Sequence, residues 1–536
     1  MSQHPPALIQ GMVKDALERH QAGQFAEAER IYRQILSIDP RNADCLHLLG
    51  MIAYQTGELE TAAALIRSAI AIHDKGSSYY ANLGTVLQAQ GKPDEAEELY
   101  RQALVLNPGL AEVHVNLANV LQARGELEDS AKYYERALAL KPDIAEAYNN
   151  LGNTRQRQGQ IEAALDCYAR ALAIKPNYPE AYRNLGNALR DQGKLDEALV
   201  QYRKALAAQP GHPEAGFAEA IVQLLQGDFG VGWKHYERRW QSADHDTPRR
   251  AYAQPAWNGE KLASGSVLIW GEQGVGDEIM FAGLIPDAIR TGNRCILDCD
   301  ARLIPLFARS FPDIDVVSGC GPGGHSELNI ASQLPIGSLP GLFRKSIAAF
   351  DATVSSYLVP DPAAREKLHA GYADGRLLVG LAWHTNSQKT GRSRCIDLGL
   401  LAPLWTLPDI QWVNLQYGDH GELEDQAAAA RAPLVVDRTV DQFADIDLFA
   451  AQVAAMDLVI TIDNSTAHLA GALGVPVWVL LPFARDWRWL QDCENSPWYP
   501  TMRLFRQRER DNWQSVVEKV RDALLVHGQI PCQDRS

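Results

Sequence analysis

The chain predicts two fold classes in series, an all-α repeat superhelix followed by an α/β region of two Rossmann-like lobes. Three observations predict this. Prolines stand 34 residues apart at Pro108, Pro142, Pro176 and Pro210, with Pro40 two periods before Pro108. From Ser266 onward, short apolar runs alternate with helical stretches, the pattern of parallel sheets joined by crossover helices. A length of 536 residues also exceeds what one hydrophobic core supports, so several domains are expected.

The 34-residue period is that of tetratricopeptide repeats, two antiparallel helices per unit. Other positions keep step. Gly57, Gly91, Gly125, Gly159 and Gly193 mark the turn between helices, and Tyr100, Tyr134, Tyr168 and Tyr202 recur in the second helix. Leu83-Gly84, Leu117-Ala118, Leu151-Gly152 and Leu185-Gly186 mark the close-packing point of the first helix. The array is read over residues 9–241, with an atypical last unit carrying Gly227, Phe229 and Tyr236. Its Trp233-Lys-His-Tyr-Glu-Arg-Arg-Trp240 segment suits a cap that meets a different domain.

Stacked helix pairs leave a concave face that holds peptides. Asn82, Asn116, Asn150 and Asn184 share one register, and Asn119, Asn153 and Asn187 follow three residues later on the same helical face. A ladder of carboxamides offers donors and acceptors to the backbone of an extended chain, so these seven are the expected peptide-binding residues. Helix packing is the competing explanation of Asn at these positions.

Residues 242–265, rich in Asp, Pro, Arg and Gly, are read as the linker. A first lobe is expected over 266–358. Ser266-Val-Leu-Ile-Trp270 is its first strand, followed by a glycine loop and a helix running to about Arg290. Further alternation is expected at 294–298, 303–310 and 314–317. Polar residues then interrupt, and a second lobe over 375–536 opens with Leu377-Leu-Val-Gly-Leu-Ala-Trp383. Its other strands are expected at 412–415, 434–436, 458–462 and 475–481.

Two loops carry chemistry. The first, Gly271-Glu-Gln-Gly-Val-Gly-Asp-Glu278, has its glycines spaced GxxGxG, which is neither a dinucleotide fingerprint nor a P-loop. Asp277 stands there at a helix start, placed to act as a general base or simply as a helix cap. The second reads strand, polar turn, small-residue helix, glycine stop and strand over 457–482. Its turn, Asp463, Asn464, Ser465 and Thr466, sets hydroxyl and amide groups beside the free N–H groups of a helix, as an anion such as a diphosphate requires. His468 lies on the same helical face as Ser465.

Lys plus Arg count 51 against 66 Asp plus Glu, a formal charge of −15, and no basic stripe points to nucleic acid. Apolar residues make up 46% and charged residues 22%, as in a soluble globular protein. The start of the chain lacks a signal-peptide pattern, and no membrane span is expected. Eight cysteines without a CxxC pair suit a reducing cytoplasm. Asp298-Cys-Asp300 and Asp445-Ile-Asp447 look like metal-binding DxD motifs but lack their context, so no metal is expected.

Together, Gly274-Val-Gly-Asp-Glu-Ile, Val379-Gly-Leu-Ala-Trp-His and Ile462-Asp-Asn-Ser-Thr-Ala-His-Leu-Ala-Gly-Ala-Leu-Gly resemble the bacterial heptosyltransferase-like glycosyltransferases, glycosyltransferase family 9 of the two-lobed GT-B fold. Pro482-Phe-Ala-Arg-Asp-Trp-Arg-Trp489 and Ser496-Pro-Trp-Tyr-Pro500 resemble their tetratricopeptide-fused relatives. The architecture is also similar to O-linked N-acetylglucosamine transferases and flagellin glycosyltransferases. The resemblance implies Asp277 as catalytic base, with Gly274 and Gly276 shaping its loop. It implies a donor site of Asp463, Asn464, Ser465, Thr466 and His468, with a phosphate-neutralising cation from Lys389, Arg392 or Arg394. Asn464 departs from the family's usual turn. Trp487 and Arg488 are placed either to stack on the donor's base or to pack at the lobe hinge.

The expected function is inverting transfer of a sugar from a nucleotide sugar to hydroxyls of an acceptor protein recruited by the array. Architectural likeness implies flagellin as that acceptor. The nucleotide sugar serves as co-substrate, with no other cofactor. Two other readings stand beside it: a non-catalytic repeat scaffold with a degenerate GT-B region, and a transferase acting on a lipopolysaccharide-type glycan.

Overall fold

The computed structural model describes residues 6–245, 247–321, 328–351, 355–385, 391–484 and 486–528, excepting the side chains of 6, 7, 391, 392, 527 and 528. The chain divides into two compact units, Met1–Ala188 and Leu189–Ser536. No described helix is long and apolar enough to cross a membrane.

The first unit is entirely helical and pairs its helices in order. They are α1 (Pro6–Gln21) with α2 (Phe25–Ile38), α3 (Ala43–Gln55) with α4 (Leu59–Ile72), and α5 (Ser77–Ala89) with α6 (Pro93–Leu106). Then come α7 (Ala111–Arg124) with α8 (Leu127–Leu140) and α9 (Ala145–Arg157) with α10 (Ile161–Ile174), before α11 (Pro179–Asp191) begins. The periodic glycines do what their spacing predicts. Gly57, Gly91, Gly125 and Gly159 all have φ between 76° and 88°, the left-handed conformation that ends the first helix of each pair. Gly152 answers a different need: a Cβ there would lie 2.5 Å from Tyr168 Cε1, so the fully buried tyrosine of the second helix occupies the space a side chain would take.

The second unit starts with α12 (Leu195–Ala208), α13 (Pro213–Leu225) and α14 (Phe229–Tyr236). The sequence reading kept these in one domain with the array, whereas they group with the α/β region because the cap is fastened to it. Trp233 Nε1 donates to Arg344 O at 3.0 Å. Arg239, fully buried, grips Glu272 through two hydrogen bonds of 2.9 and 2.8 Å and also donates to Ser338 Oγ. The cap predicted from the Trp233 to Trp240 segment is therefore a structural joint.

Two parallel sheets follow. The first has the order β3-β2-β1-β4, from β1 (Ser266–Trp270), β2 (Arg294–Asp298), β3 (Asp315–Val317) and β4 (Ile330–Pro335). The second has the order β10-β9-β8-β5-β6-β7. Its strands are β5 (Leu377–Ala382), β6 (Ile410–Asn414), β7 (Leu434–Val435), β8 (Leu458–Ile462), β9 (Val477–Leu481) and β10 (Met502–Arg506). Every pairing within them is parallel, and β1, β5, β8 and β9 are buried along their whole lengths, as strands covered on both faces must be.

Three readings change. Strands β4 and β10 were not foreseen; Gln333 and Arg503 put polar residues into runs too short to stand out. The helix expected to reach Arg290 is broken into α15 (Val275–Ala282) and Ile285–Arg290, with Gly283 and Pro286 at the break. The polar stretch before the second lobe holds a helix, Pro362–Tyr372, begun by Pro at its first position and capped by Asp361.

Candidate functional site

Asp277 sits in the first turn of α15, and the helix Ser465–Ala472 begins where β8 ends. These two helix starts are packed against each other. A Cβ added to Gly276 would lie 3.3 Å from both Ser465 Cα and His468 Cδ2, so only glycine lets the two backbones approach this closely.

Charge converges on this contact. Arg488 donates to Asp277 Oδ1 through Nε at 3.1 Å and again through Nη2. Its Nη1 holds Asp486 at 3.0 and 3.1 Å. Arg394 lies 3.0 Å from Asp463 and 3.3 Å from Asp486. Three aspartates thus share two guanidinium groups. Burial works against the Asp486 charge, yet Arg488 and Arg394 outweigh it and hold its pKa at about 2. For Asp463 the balance falls the other way: burial pushes the carboxyl up against the pull of Arg394.

The turn itself is only partly satisfied. Asn464 caps the helix, its Oδ1 accepting from Ala467 N at 3.3 Å and from Thr461 Oγ1 at 3.0 Å. Its Nδ2 and the hydroxyl of fully buried Thr466 have no partner among the described residues. A buried donor without an acceptor costs about 1–3 kcal/mol, which marks the turn as a place prepared for one.

His468 is fixed from two sides. Its Nδ1 is 3.0 Å from Tyr499 OH, and its ring stacks on Trp489 with centroids 5.1 Å apart and planes 16° apart. Burial, helped by Arg488, lowers its pKa to about 3, so it is a neutral imidazole at ordinary pH.

Several expected residues behave differently. Trp487 is 3% exposed, with Phe281 stacked on it and Trp233 and Trp498 at its edges, so it packs the joint and offers no open face to a base. Arg488 belongs to the site but as an ion-pair partner. Lys389 and the side chain of Arg392 lie outside the described residues, which leaves Arg394 as the described member of that trio. Asp298 is paired with Arg250, Asp300 with Arg302, and Asp447 with Arg309, while Asp445 caps a helix. Among the described residues no cluster suited to a metal is present.

Sequence reasoning missed Asp486 and Gln273. Asp486 lay inside the Trp-Arg-Trp block but was passed over for its aromatic neighbours. Gln273 has φ of 66°, an uncommon conformation for a residue with a Cβ, and its Nε2 donates to Tyr236 OH at 2.8 Å while Arg488 Nη2 reaches its Oε1 at 3.5 Å. The cap of the array therefore touches the site through one carboxamide.

In the array the asparagines serve the fold. Tyr134 donates to Asn119 Oδ1, and Tyr168 donates to Asn153 Oδ1 at 2.8 Å. Asn150 donates to Asn119 at 3.1 Å, Asn184 donates to Asn149 at 2.9 Å, and Asn82 pairs with His47 at 2.7 Å. In Asn119 and Asn153 the second series is tied to the buried tyrosines, the helix-packing role that stood beside peptide binding. Asn116 stands partly exposed in α7, and Asn187 in α11 is likewise engaged.

Models described as tetratricopeptide repeat match residues 19–85, 77–110, 109–177 and 143–211. The N-terminal part is a tetratricopeptide-repeat array. Protein FlbA of Caulobacter vibrioides is 34% identical over 334 residues, covering 58% of this chain and 54% of FlbA. The chain thus spans about half the length of that relative, and the matched share is larger than the tetratricopeptide array, so the likeness reaches into the α/β region. Among solved structures, MamA is 25% identical, covering 30% of this chain and 94% of MamA with a TM-score of 0.29. YrrB, described as a TPR protein with an unusual peptide-binding site, is 22% identical, covering 35% of this chain and 98% of YrrB with a TM-score of 0.32.

Proposed function

We propose that the protein is an inverting glycosyltransferase of the GT-B, family 9 type, moving a sugar from a nucleotide sugar to a hydroxyl of a protein bound by the tetratricopeptide array. The observation that carries this is the packing of the Asp277 turn onto the Ser465 turn, with unpaired donors at Asn464 and Thr466 and two arginines beside them. A diphosphate supplies the acceptors those groups lack, and Arg488 and Arg394 neutralise it.

In the reaction the acceptor hydroxyl attacks the anomeric carbon while Asp277 takes its proton. The bond to phosphate breaks and the nucleotide leaves with the electron pair, stabilised by the arginines and the helix start. Arg488 is held by Asp277 when the site is empty, so arrival of the diphosphate gives the cation a new partner and frees the carboxylate. Neutral His468 keeps the donor turn rigid through Tyr499 and Trp489. Flagellin is the acceptor suggested by architectural likeness.

The ion pair on Asp277 also supports the second reading, a scaffold whose base is permanently tied. Calorimetry with nucleotide sugars on the parent and on Arg394→Ala separates the two, since a scaffold has no donor binding at the Ser465 turn for that substitution to remove. Asp277→Ala should fold as the parent does and lose transfer by about 10²–10⁴-fold. Undiminished turnover in that variant would end the assignment.

A further inference from the structure

A cavity of about 880 Å³ lies beside the edge strand β10 and includes none of the residues placed in the donor turn or on Asp277. Two of its wall residues, Phe483 and Gln507, come just after the carboxyl ends of β9 and β10, the side on which open α/β sheets hold ligands. The helix Gln514–Gly528 supplies another wall. The volume falls within the range of small-molecule sites.

Its lining combines rings with uncommitted positive charge. Phe483 provides half-buried aromatic surface, with the Arg510 guanidinium 5.8 Å from its ring centre, while Trp478 and Phe505 are packed into the core behind it. Arg503, Arg508 and Lys519 line the same space, and none of the three forms an ion pair with a described residue. The Arg503 guanidinium lies 4.8 Å from the Phe505 ring centre, a cation resting on an aromatic face for want of an acid. Arg506, by contrast, is spent on the main-chain carbonyls of Trp489 and Cys493.

Gln507 adds the second indication. It is 6% exposed, its Oε1 accepts from Phe483 N at 3.0 Å, and its Nε2 has no partner among the described residues. An amide donor buried this way calls for an acceptor oxygen. The remaining polar lining is acidic. Asp522 is already paired with Arg521, while Glu494 has an acceptor suited to a hydroxyl.

We propose that this cavity is a second ligand site that takes a nucleotide. Phosphate oxygens meet Arg508, Lys519 and the Gln507 amide, the planar base lies against Phe483, and the sugar hydroxyls donate to Glu494. The site does not depend on the glycosyltransferase reading, and its chemistry would serve equally in a scaffold.

Isothermal titration of the full chain with ADP, UDP, adenosine and inorganic phosphate tests it. A diphosphate nucleotide should bind, and the Arg508→Ala/Lys519→Ala double variant should weaken that binding by about tenfold or more, as loss of charge-assisted hydrogen bonds does. Gln507→Leu should weaken it too and lower the melting temperature through the lost Phe483 N–H bond, while the double variant unfolds as the parent does. The proposal fails if neither ADP nor UDP binds. It fails equally if adenosine or phosphate alone binds as tightly as the nucleotide, or if binding survives the double variant and is abolished by Arg394→Ala, which would assign it to the Ser465 turn. Loss of sugar transfer without loss of this binding, or the reverse, tells the two proposals apart.

Discussion

The first five helix pairs and the α/β unit solve the problem of making a defined surface in opposite ways. In the array two units repeat one local solution, a glycine yielding space to a tyrosine sixteen positions on, as Gly84 does for Tyr100 and Gly152 for Tyr168. In the α/β unit the candidate site is gathered from distant segments, with Asp277 reaching Arg488 across 211 positions of chain. Local repetition makes stability additive and damage confined, whereas convergence makes one residue answerable to many.

The largest expected effect tests that convergence. Arg239→Ala strips the partner from buried Glu272 and should destabilise the second unit by about 3–5 kcal/mol. Calorimetry should show the transition of the first unit unmoved. A joint shift of both transitions would dissolve the contrast.

A smaller effect probes the array. Gly152→Ala forces a methyl into the Tyr168 ring and should cost about 1–3 kcal/mol, read as a lower melting temperature of the first unit alone. Gly91→Ala offers a comparison, because there only the left-handed backbone opposes the methyl and nothing lies within 4 Å of it.

The smallest is a pH effect. Burial pushes Glu278 from its ordinary 4.5 up to about 7, with Asp300 and Asp298 adding to the rise against the Asp300 N–H that it accepts. The native state therefore keeps a proton that the unfolded chain has released. Stability from this group is fully present below about pH 4.5 and is lost as pH climbs to about 7. Glu278→Gln should flatten that decline in melting temperature of the second unit, and an unchanged slope would assign the decline to other groups.

How much could be read beforehand follows the same divide. Repeat period, turn glycines and packing glycines were legible because each is set by neighbours a few residues away. Strands β1, β2, β5 and β8 were legible as apolar runs. Strands β4 and β10 were not, since polar residues broke runs already short. At the site, Asp277 and the 463–468 turn could be named because helix-start chemistry is local. Their pairing with Arg488 could not, because nothing in the spacing of residues says which distant cation a carboxylate will meet. Trp487 stayed open between stacking and packing for a similar reason: a tryptophan's partners, Phe281 and Trp498 here, decide whether its face is open.

The fastening of α13, α14 and Arg239 onto the first sheet bears on where this molecule can be cut. A fragment beginning at the linker, at residue 242, would bare the rings of Phe350, Trp487 and Trp498 that Phe229 and Trp233 now cover, and would take from buried Glu272 its arginine. Such a piece invites aggregation. The joint therefore belongs with the compact unit that begins at Leu189, and α13, α14 and Arg239 must stay with the sheets they cover.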